Sequence, residues 1–409
     1  MAAGSRKHAL TFIFVTVLID SIGFGIIMPV LPRLIVNLTG GDMSTASVYG
    51  GWLAVVFALM QFVCAPIMGN LSDRFGRRPV LLLALLAFSA DYTLMGWAPS
   101  IAWLFLGRLI SGITGATFTP AYAYVADVTA PEDRAKSFGL MGAAFGVGFV
   151  VGPVIGGLLG EFGTHAPFFA AAALAILNMI YGYFVLPETL AAGNRRNFSW
   201  ARANPVGALT QIGAYPLVLG LIGVLFVHYL AHNSLPAIWS FYTVEKFHWS
   251  PREIGYSLGA VGLMMAIVQG GLIRVIVPRM GERWAAYTGL ALSAIAFFGY
   301  AFAPYGWVVY IFMIPGALSA IAYPSIQGLM SGVVPANAQG ELQGGISSAS
   351  SVTAVISPFL MTQLFSYFTA PGAPVYFPGA AYLAAGVLEL VAAALLIRLV
   401  RQGLAAKPA

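Results

Sequence analysis

The stretch GNLSDRFGRRP, residues 69–79, stands between two apolar runs, residues 49–68 and 80–98. Its three arginines and one aspartate interrupt a sequence that is otherwise largely apolar. An apolar run of about 18 residues or more predicts a membrane-spanning helix. Lysine and arginine concentrate in short loops on the cytoplasmic side of a membrane. The stretch is therefore predicted to be a short cytoplasmic turn between two membrane helices.

Similar apolar runs recur along the whole chain, in two groups of six with a polar segment between them. A membrane β-barrel would instead show short segments of alternating hydrophobicity. The predicted fold class is an all-α integral membrane protein with twelve transmembrane helices in two six-helix pseudo-repeats. The predicted spans are residues 10–36, 49–68, 80–98, 102–125, 135–159, 168–186, 212–239, 254–277, 285–303, 307–333, 344–368 and 376–399.

The composition is that of a protein whose outer surface faces lipid. Hydrophobic residues make up 59% of the chain and charged residues 8%, against about 25% charged residues in an ordinary soluble domain. The net charge of +6 does not predict nucleic-acid binding, because the basic residues lie in separate short loops. The sequence contains no phosphate-binding loop, metal-ligand cluster or nucleophile motif, which argues against an enzyme. The first run is too long for a cleaved signal peptide and contains Asp20.

The distribution of lysine and arginine predicts a multi-pass protein of the inner (cytoplasmic) membrane with both termini in the cytoplasm. In that orientation, 16 of the 20 basic residues lie inside, and Arg108 lies within a helix. The three outside residues are Arg33, Lys246 and Arg252.

Landmarks of the first half recur in the second half at a nearly constant offset, which indicates a tandem repeat. The matched pairs are Gly76 with Gly281, Pro131 with Pro335, and Pro153 with Pro358, at offsets of 205, 204 and 205 residues. Chance alignment of common glycines and prolines is the alternative, but the pairs also fall in equivalent helices. The predicted domains are an N-terminal bundle, 1–187, a cytoplasmic linker, 188–209, and a C-terminal bundle, 210–409.

Glycines and charges have separate expected roles within residues 69–79. Gly69 permits close helix packing, and Gly76 permits a tight turn. Asp73 is predicted to accept hydrogen bonds at the N-terminus of the following helix, where negative charge is favoured. An ordinary basic loop is the simpler interpretation of the stretch.

The fifth predicted span carries glycines at helical spacing around a proline. Gly148, Gly152 and Gly156 recur every four residues, Gly157 follows, and Pro153 lies among them. Such glycines present a flat stripe on which a neighbouring helix packs closely, and proline kinks a helix and frees a backbone carbonyl. Helix packing alone is the simpler interpretation.

Charged residues inside the apolar runs are candidates for proton chemistry. Asp20, Asp91 and Glu389 are each costly when ionised in lipid, so each is expected to face a cavity, find a partner or be protonated. Arg108 also needs a partner, and Asp20 is the best candidate. A snorkelling arginine is the alternative, which the position of Arg108 along its helix disfavours.

These motifs together resemble the major facilitator superfamily and, within it, the drug/proton antiporters that include the tetracycline efflux proteins. The similarity extends over essentially the whole chain. Besides the segments above, it includes residues 107–112, 243–249, 334–335 and 340–344. It implies the major facilitator fold, an antiporter role for the glycine–proline helix and a link between Arg108 and proton transfer. It also implies a gating loop formed by Gly69, Ser72, Asp73, Arg74, Gly76, Arg77 and Arg78.

Several positions depart from the tetracycline efflux pattern. The histidine of the family's eighth helix is Met265 here, and the aspartate of its ninth helix aligns near Ser293, so the second half lacks that acidic group. Glu389 has no counterpart, and His228 and His232 are either polar contacts or packing residues. Trp239 is expected near an outer vestibule, although polar residues in such helices often serve only helix packing. The candidate substrate-binding residues are His228, His232, Asn233, Trp239, Met265, Gln269, Tyr323, Gln327 and Glu389.

The resemblance implies export of a drug in exchange for protons by alternating access, with tetracycline bound to Mg²⁺ as the expected substrate. Efflux of another hydrophobic compound, an uptake symporter or facilitator, and a non-transporting receptor of the same fold are the alternatives. No catalytic residue, resident metal or cofactor is expected, and the proton gradient is the energy source. The expected partners are the drug, protons and lipid, without nucleic acid, and a monomer is expected.

Overall fold

The computed structural model describes residues 3–115, 118–130, 133–191, 193, 195–198, 216–335 and 339–405. Within these ranges the regular structure is helical, and no strand occurs. Helices suit these apolar runs because each backbone polar group is then bonded within its own segment. The helices are α1 (Ala3–Ile26), α2 (Leu31–Thr39), α3 (Met43–Phe75), α4 (Arg77–Gly96), α5 (Ile101–Gly115), α6 (Phe118–Val128), α7 (Arg134–Gly160), α8 (Ala166–Val185), α9 (Pro216–His232), α10 (Ser234–Phe247), α11 (Pro251–Ile267), α12 (Ile273–Met280), α13 (Glu282–Phe302), α14 (Gly306–Leu318), α15 (Ala322–Ser331), α16 (Gln339–Thr369) and α17 (Ala380–Ala405).

The described helices contain 11 segments long and apolar enough to cross a membrane, and a bent pair, α1 with α2, makes up to 12. This agrees with the predicted all-α membrane fold. The first span is not one straight helix, however, because it bends by 48° between α1 and α2. Pro29 lies in the break and Pro32 in the first turn of α2. Proline lacks the N–H that would continue the helical ladder.

Three spans of the second half are also interrupted. The seventh breaks at Asn233, between α9 and α10. The tenth contains a 3-10 turn, Ser319–Ile321, between α14 and α15. The eighth contains a π-helical turn, Val268–Leu272, between α11 and α12. Such π-helical turns are rare and occur often at functional sites. The hydropathy pattern predicts none of these breaks, because apolar residues continue on both sides of each.

The chain divides into two compact units. Unit 1 consists of Met1–Gly40, Val56–Pro205 and Trp249–Gly262, and unit 2 consists of Gly41–Val55, Val206–His248 and Leu263–Ala409. The predicted domain boundaries stay a prediction, and most of the predicted linker, including Asn194 and Arg202, lies outside the described residues.

Each unit has its own apolar core. In unit 1, side chains of α1, α4, α6 and α7 form a buried cluster that includes Phe12, Leu85 and Tyr124. In unit 2, the corresponding cluster comes from α9, α13, α15, α16 and α17. Large apolar side chains also remain on the surface, such as Phe184, which is 80% exposed. A lipid environment accounts for such exposure, since water would penalise it.

Candidate functional site

The carboxyl group of Asp91, on α4, lies against the backbone of α5. Asp91 is fully buried, and a Cβ atom on Gly107 would lie 2.8 Å from its Oδ1. Neither carboxylate oxygen has a hydrogen-bond partner among the described residues. The nearby Ser111 hydroxyl donates instead to the Gly107 carbonyl, at 2.7 Å. Asp91 is therefore a buried acidic group with unused hydrogen-bonding capacity, which is costly unless it is protonated or compensated.

Arg108, on α5, supplies the compensating charge. It interacts electrostatically with Asp91 and with Tyr92, although none of the direct ion pairs in the described part of the chain involves it. Its guanidinium carbon lies 5.8 Å from the centre of the Phe57 ring, on α3, as in a cation–π contact. The Tyr92 hydroxyl lies against α1, where a Cβ atom on Gly23 would lie 3.0 Å from it.

Asp20, on α1, faces a small cleft. Thr16, one turn earlier on the same helix, lines this cleft, and its buried hydroxyl has no hydrogen-bond partner among the described residues. The other lining residues are Val17, Leu81, Ala84, Leu85, Phe118 and Ala121. The expected pair between Asp20 and Arg108 is not formed, because Asp91 on the helix adjacent to Arg108 interacts with it instead.

The turn at Gly76, within residues 69–79, is capped by a carboxylate that lies far away in the sequence. Gly76 has a φ of 104°, a conformation that favours glycine. The Glu188 carboxylate accepts hydrogen bonds from the backbone N–H groups of Arg77, at 3.0 Å, and Arg78, at 3.3 Å. Asp73 was expected to cap α4, but it lies in the last turn of α3 and its carboxylate pairs with Arg77. Glu188 therefore performs the capping role.

Arg77 connects three side chains around the turn. Its guanidinium lies 2.6 Å from Oδ1 of Asp73 and 3.3 Å from Oδ2 of Asp127, and it donates to the Ser72 hydroxyl. Only 9% of Arg77 is exposed, so its charge depends on these partners rather than on water. The cluster joins the end of α3, the start of α4 and the end of α6.

The other predicted loop residues contact neighbouring helices or solvent. Arg74 is exposed. Arg78 donates to the carbonyl oxygen of Tyr183, on α8, at 2.7 Å. A Cβ atom on Gly69 would lie 3.2 Å from the Thr119 methyl group, on α6, so this glycine does permit close packing.

The glycines of α7 bring its backbone against α1. A Cβ atom on Gly148 would lie 2.6 Å from Cβ of Ser21, and one on Gly152 would lie 2.7 Å from the carbonyl oxygen of Ile22. Gly156 continues the same stripe one turn later. The helix that carries Asp20 therefore packs directly on the predicted antiporter helix.

A second surface of α7 contacts the start of α11 within unit 1. A Cβ atom on Gly157 would lie 2.5 Å from the carbonyl oxygen of Pro251 and 3.1 Å from Cα of Gly255. Pro153 faces α1, where a Cβ atom on Gly25 would lie 2.7 Å from its ring. The glycine–proline pattern thus contacts two different helices.

Unit 2 also buries a carboxylate, and this one is hydrogen-bonded. Glu389, on α17, is fully buried. Nδ1 of His228, on α9, lies 2.9 and 3.0 Å from its two oxygens, and the Ser293 hydroxyl, on α13, donates to Oε1 at 2.9 Å. Helix α13 carries Ser293 where the resemblance places an aspartate, and the carboxylate that lies beside this position comes from α17 instead.

His232 lies one turn beyond His228 on α9. The two ring centres are 5.5 Å apart, and Nδ1 of His232 is buried without a hydrogen-bond partner among the described residues. Ligand-type atoms of both histidines and Glu389 lie within 4.8 Å of one another. The cluster fits a metal ion poorly, because His228 and Glu389 bond each other directly, whereas ligands of a tetrahedral zinc ion stand roughly 3.3 Å apart.

Trp239 is buried among aromatic side chains, whereas Met265 is partly buried against an apolar cluster. Trp239 is 3% exposed, and its ring centre lies 5.4 Å from that of Tyr300 and 6.3 Å from that of Tyr382. It therefore does not line an outer vestibule. Met265 packs against a cluster that includes Val268.

The polar candidates of unit 2 divide between packing and exposed positions. The Gln327 amide donates to Gln343, on α16, at 3.1 Å, and the ring of Tyr323 lies 6.0 Å from that of Tyr229. Asn233 donates to Thr353 at 3.5 Å. Gln269 is different, because it is exposed within the π-helical turn.

Three groups that contribute to these sites, Tyr92, Glu188 and the hydroxyl of Ser293, were not predicted from the sequence, whereas Asp127 was considered as a helix cap and ranked lower. Tyr92 adjoins Asp91, and its polar group within an apolar run was the available signal. Glu188 and the hydroxyl of Ser293 gave no local signal. Their roles depend on contacts with residues 111 and 96 positions away.

A family model described as Major Facilitator Superfamily matches residues 13–344 and 221–408 of this chain. The class C tetracycline resistance protein of Escherichia coli is 41% identical over 360 residues, which cover 88% of this chain and 90% of that protein. The class B protein of the same organism is 38% identical over 368 residues, 89% of each chain. The crystal structure of a bacterial homologue of the human lysosomal transporter Spinster, inward-facing and unoccupied, covers 100% of both chains with a TM-score of 0.81 and 17% identity. That structure indicates the fold alone.

Proposed function

The chain belongs to the major facilitator superfamily, and from that premise we propose that it exports a tetracycline, as a complex with a divalent cation, in exchange for protons. It is a multi-pass membrane transporter and not an enzyme. The proposed substrate rests on its similarity to proteins named for tetracycline resistance. The proposed location is the bacterial inner membrane, with both termini cytoplasmic.

The observation that carries proton coupling is the buried Asp91 carboxyl group beside Arg108. Coupling requires a group whose proton affinity differs between two transport states. While Asp91 is ionised, its attraction to Arg108 offsets part of the cost of burial. Protonation removes that attraction and allows the two helices to separate. Asp20 is the second proton carrier in this proposal, and the hydroxyl of Tyr92, the neighbour of Asp91, lies against the helix that carries Asp20.

The contact between α1 and α7 supports the transmission of this change. The backbone of α7 lies against the backbone of α1 at Gly152 and against both the backbone and the Ser21 side chain at Gly148. A shift of α1 on protonation of Asp20 must therefore displace α7 or open a gap, because packed interiors do not deform continuously. Alternating access is the proposed outcome, in which inward-open and outward-open states exchange.

The Arg77 cluster is the proposed latch of the cycle. It holds three helix ends through ion pairs and a hydrogen bond. A change of state that moves α6 relative to the start of α4 must break the contact between Arg77 and Asp127. The latch therefore favours the state in which the contact is formed and sets part of the barrier to leaving it.

The test is proton movement in proteoliposomes under an imposed pH gradient, on addition of tetracycline with Mg²⁺. Wild-type protein is expected to release protons, and Asp20→Asn and Asp91→Asn are expected to abolish release while the protein stays folded. Asp42→Asn is the matched control, because Asp42 is exposed outside the spans. Release by both buried-site variants at the wild-type level would exclude the proposed roles.

Two other results would revise the substrate or the function. Proton release with other hydrophobic drugs but not with tetracycline would keep the antiporter and discard the named substrate. Absence of proton release with every compound tested would favour an uptake carrier or a non-transporting receptor of the same fold.

A further inference from the structure

We propose that His228 and Glu389 form a second proton-binding site, within unit 2, whose proton is exchanged once in each transport cycle. The part concerning the transport cycle rests on the proposed function. The proton-binding site itself rests on the geometry of the pair and can be tested without any drug.

Packing alone does not explain the pair, because apolar residues at these two positions would pack without the cost of burying ionisable groups. Glu389 is fully buried, His228 is 5% exposed, and their hydrogen bonds of 2.9 and 3.0 Å lie inside the helix bundle of unit 2. Replacing a buried ionic pair by packed apolar residues is often neutral or stabilising. Retaining a histidine and a glutamate at this depth therefore needs a chemical reason.

The proton balance of the pair defines its two states. Without the extra proton, neutral His228 donates its Nδ1 hydrogen to the Glu389 carboxylate, and the pair carries one negative charge. One proton taken up from water makes the pair neutral overall, as imidazolium with carboxylate or as imidazole with carboxylic acid. No other bond changes, and the same proton returns to water on release.

Few other groups can compensate that charge. His228 and His232 interact electrostatically with each other and with Glu389, and no lysine, arginine or further carboxylate pairs with them in the described part of the chain. Tyr229 of α9 turns toward Tyr323 of α15 instead.

Uncharged side chains also contact this site. The Ser293 hydroxyl of α13 donates to Glu389, the ring centre of Tyr229 lies 6.1 Å from that of His228, and the ring centre of Phe297 lies 6.4 Å from that of His232. In a dry bundle the neutral, protonated pair is favoured, and hydration of the site favours release. A conformational change that admits water therefore changes the proton occupancy of the pair.

His232 is a positioning residue at the edge of this site. It lies between His228 and the helix break at Asn233, and its Nδ1 is unused by the described residues. Its imidazole stands one turn from the pair, on the side where α9 ends. It is therefore placed to pass the proton between the pair and the break.

The first experiment uses infrared difference spectra of the full chain in lipid nanodiscs, acidic minus alkaline buffer, without drug. Wild-type protein is expected to show a change in the carboxyl or carboxylate bands of Glu389. This change should be lost in Glu389→Gln and shifted in His228→Gln, since glutamine keeps a donor but cannot hold the proton. His248→Asn is the control. His248 is exposed and has a φ of 56°, a conformation that asparagine tolerates.

The second experiment counts the protons released per tetracycline molecule in proteoliposomes. Both pair variants are expected to release one proton fewer than wild-type protein and His248→Asn. An unchanged band and an unchanged count in folded pair variants would overturn the proposal, as would zinc binding that both variants abolish. A wild-type protein that shows the band but releases no proton with any drug would refute the proposed function and leave the proton-binding site standing.

Folding failure of the pair variants would not end the test. Ser293→Ala removes one donor to Glu389 but leaves the pair intact. The proposal then requires the same band to shift in Ser293→Ala. If the band is unchanged in Ser293→Ala, it belongs to another acidic group, and the assignment is overturned.

Discussion

Unit 1 and unit 2 each bury a carboxylate, but only unit 2 satisfies it with hydrogen bonds. Asp91 has no hydrogen-bond partner among the described residues and depends on the charge of Arg108. Glu389 is held by His228 and Ser293. The first group can change partners at little structural cost, which suits a switch. The second has fixed partners, and a proton is the one thing it can gain or lose without repacking.

The largest expected effect is on the free energy of unfolding when either buried carboxylate is replaced. Glu389→Ala leaves His228 and Ser293 without their acceptor and opens a cavity, so it should destabilise the protein by about 3–5 kcal/mol. Asp91→Asn keeps the size of the side chain but leaves the buried Arg108 without its compensating charge, so it should cost less than Glu389→Ala, about 1–3 kcal/mol. Unfolding in mixed micelles measures both values.

Glu389→Gln is the matched control for that prediction, because an amide oxygen can still accept from Ser293. It should recover most of the stability that Glu389→Ala loses. Equal losses in Asp91→Asn and Glu389→Ala would contradict the contrast between an unsatisfied and a satisfied carboxylate.

The two repeats also differ in their charged turns. Arg77 binds Asp73 and Asp127 in unit 1, whereas the residue 205 positions later is Glu282, which is exposed in unit 2. Arg77→Ala removes charged hydrogen bonds from a nearly buried site and should cost about 1.5–3 kcal/mol. Glu282→Ala, at the exposed equivalent, should stay within about 0.5 kcal/mol. The same unfolding assay measures both variants. A large loss of stability in Glu282→Ala would indicate that the second repeat also has a latch.

One helix–helix contact occurs at equivalent positions of the two repeats but is formed by different groups. Gly152 of α7 approaches Gly25 of α1, and 205 positions later Ser357 of α16 donates to the carbonyl oxygen of Leu230, on α9, at 2.7 Å. Unit 1 therefore joins these helices by backbone contact and unit 2 by a hydrogen bond. Contact without directional bonds allows sliding, whereas a hydrogen bond favours one register.

Neighbouring glycines on α7 provide a smaller and sharper test. Gly148→Ala places a methyl group against Ser21 and should cost stability toward the lower end of about 1–3 kcal/mol. Gly146→Ala has open space around it and should be neutral or stabilising by up to about 1 kcal/mol. Drug export should be measured for the same two variants, and it should fall only in Gly148→Ala. Equal export in both variants would remove the proposed role of the α1–α7 contact.

The sequence predicts what depends on local pattern. Apolar runs predict the spans, and the glycine spacing predicts the stripe that packs on α1. What it misses depends on side chains that meet from distant positions. Glu188 takes the capping role expected of Asp73 because the chain returns to the turn after α8, and Glu389 reaches Ser293 from 96 residues away. Asp20 and Asp91 both lie within apolar runs, and the sequence does not show which of their helices adjoins the helix of Arg108.

Asp42 is the exposed carboxylate against which the buried ones can be compared. The backbone N–H of Thr45 donates to its Oδ1 at 2.8 Å, at the start of α3, and this hydrogen bond lowers the pKa of Asp42. A pKa lower in the folded than in the unfolded state stabilises the protein above the unfolded pKa, and the effect is lost as pH falls through the folded value, below about pH 4. Asp42→Ala should therefore lower the melting temperature slightly at neutral pH and not at about pH 3. A deficit that persisted in acid would mean that Asp42 acts through contacts that do not depend on its charge, and the exposed carboxylate would no longer serve as the simple reference for Asp91 and Glu389.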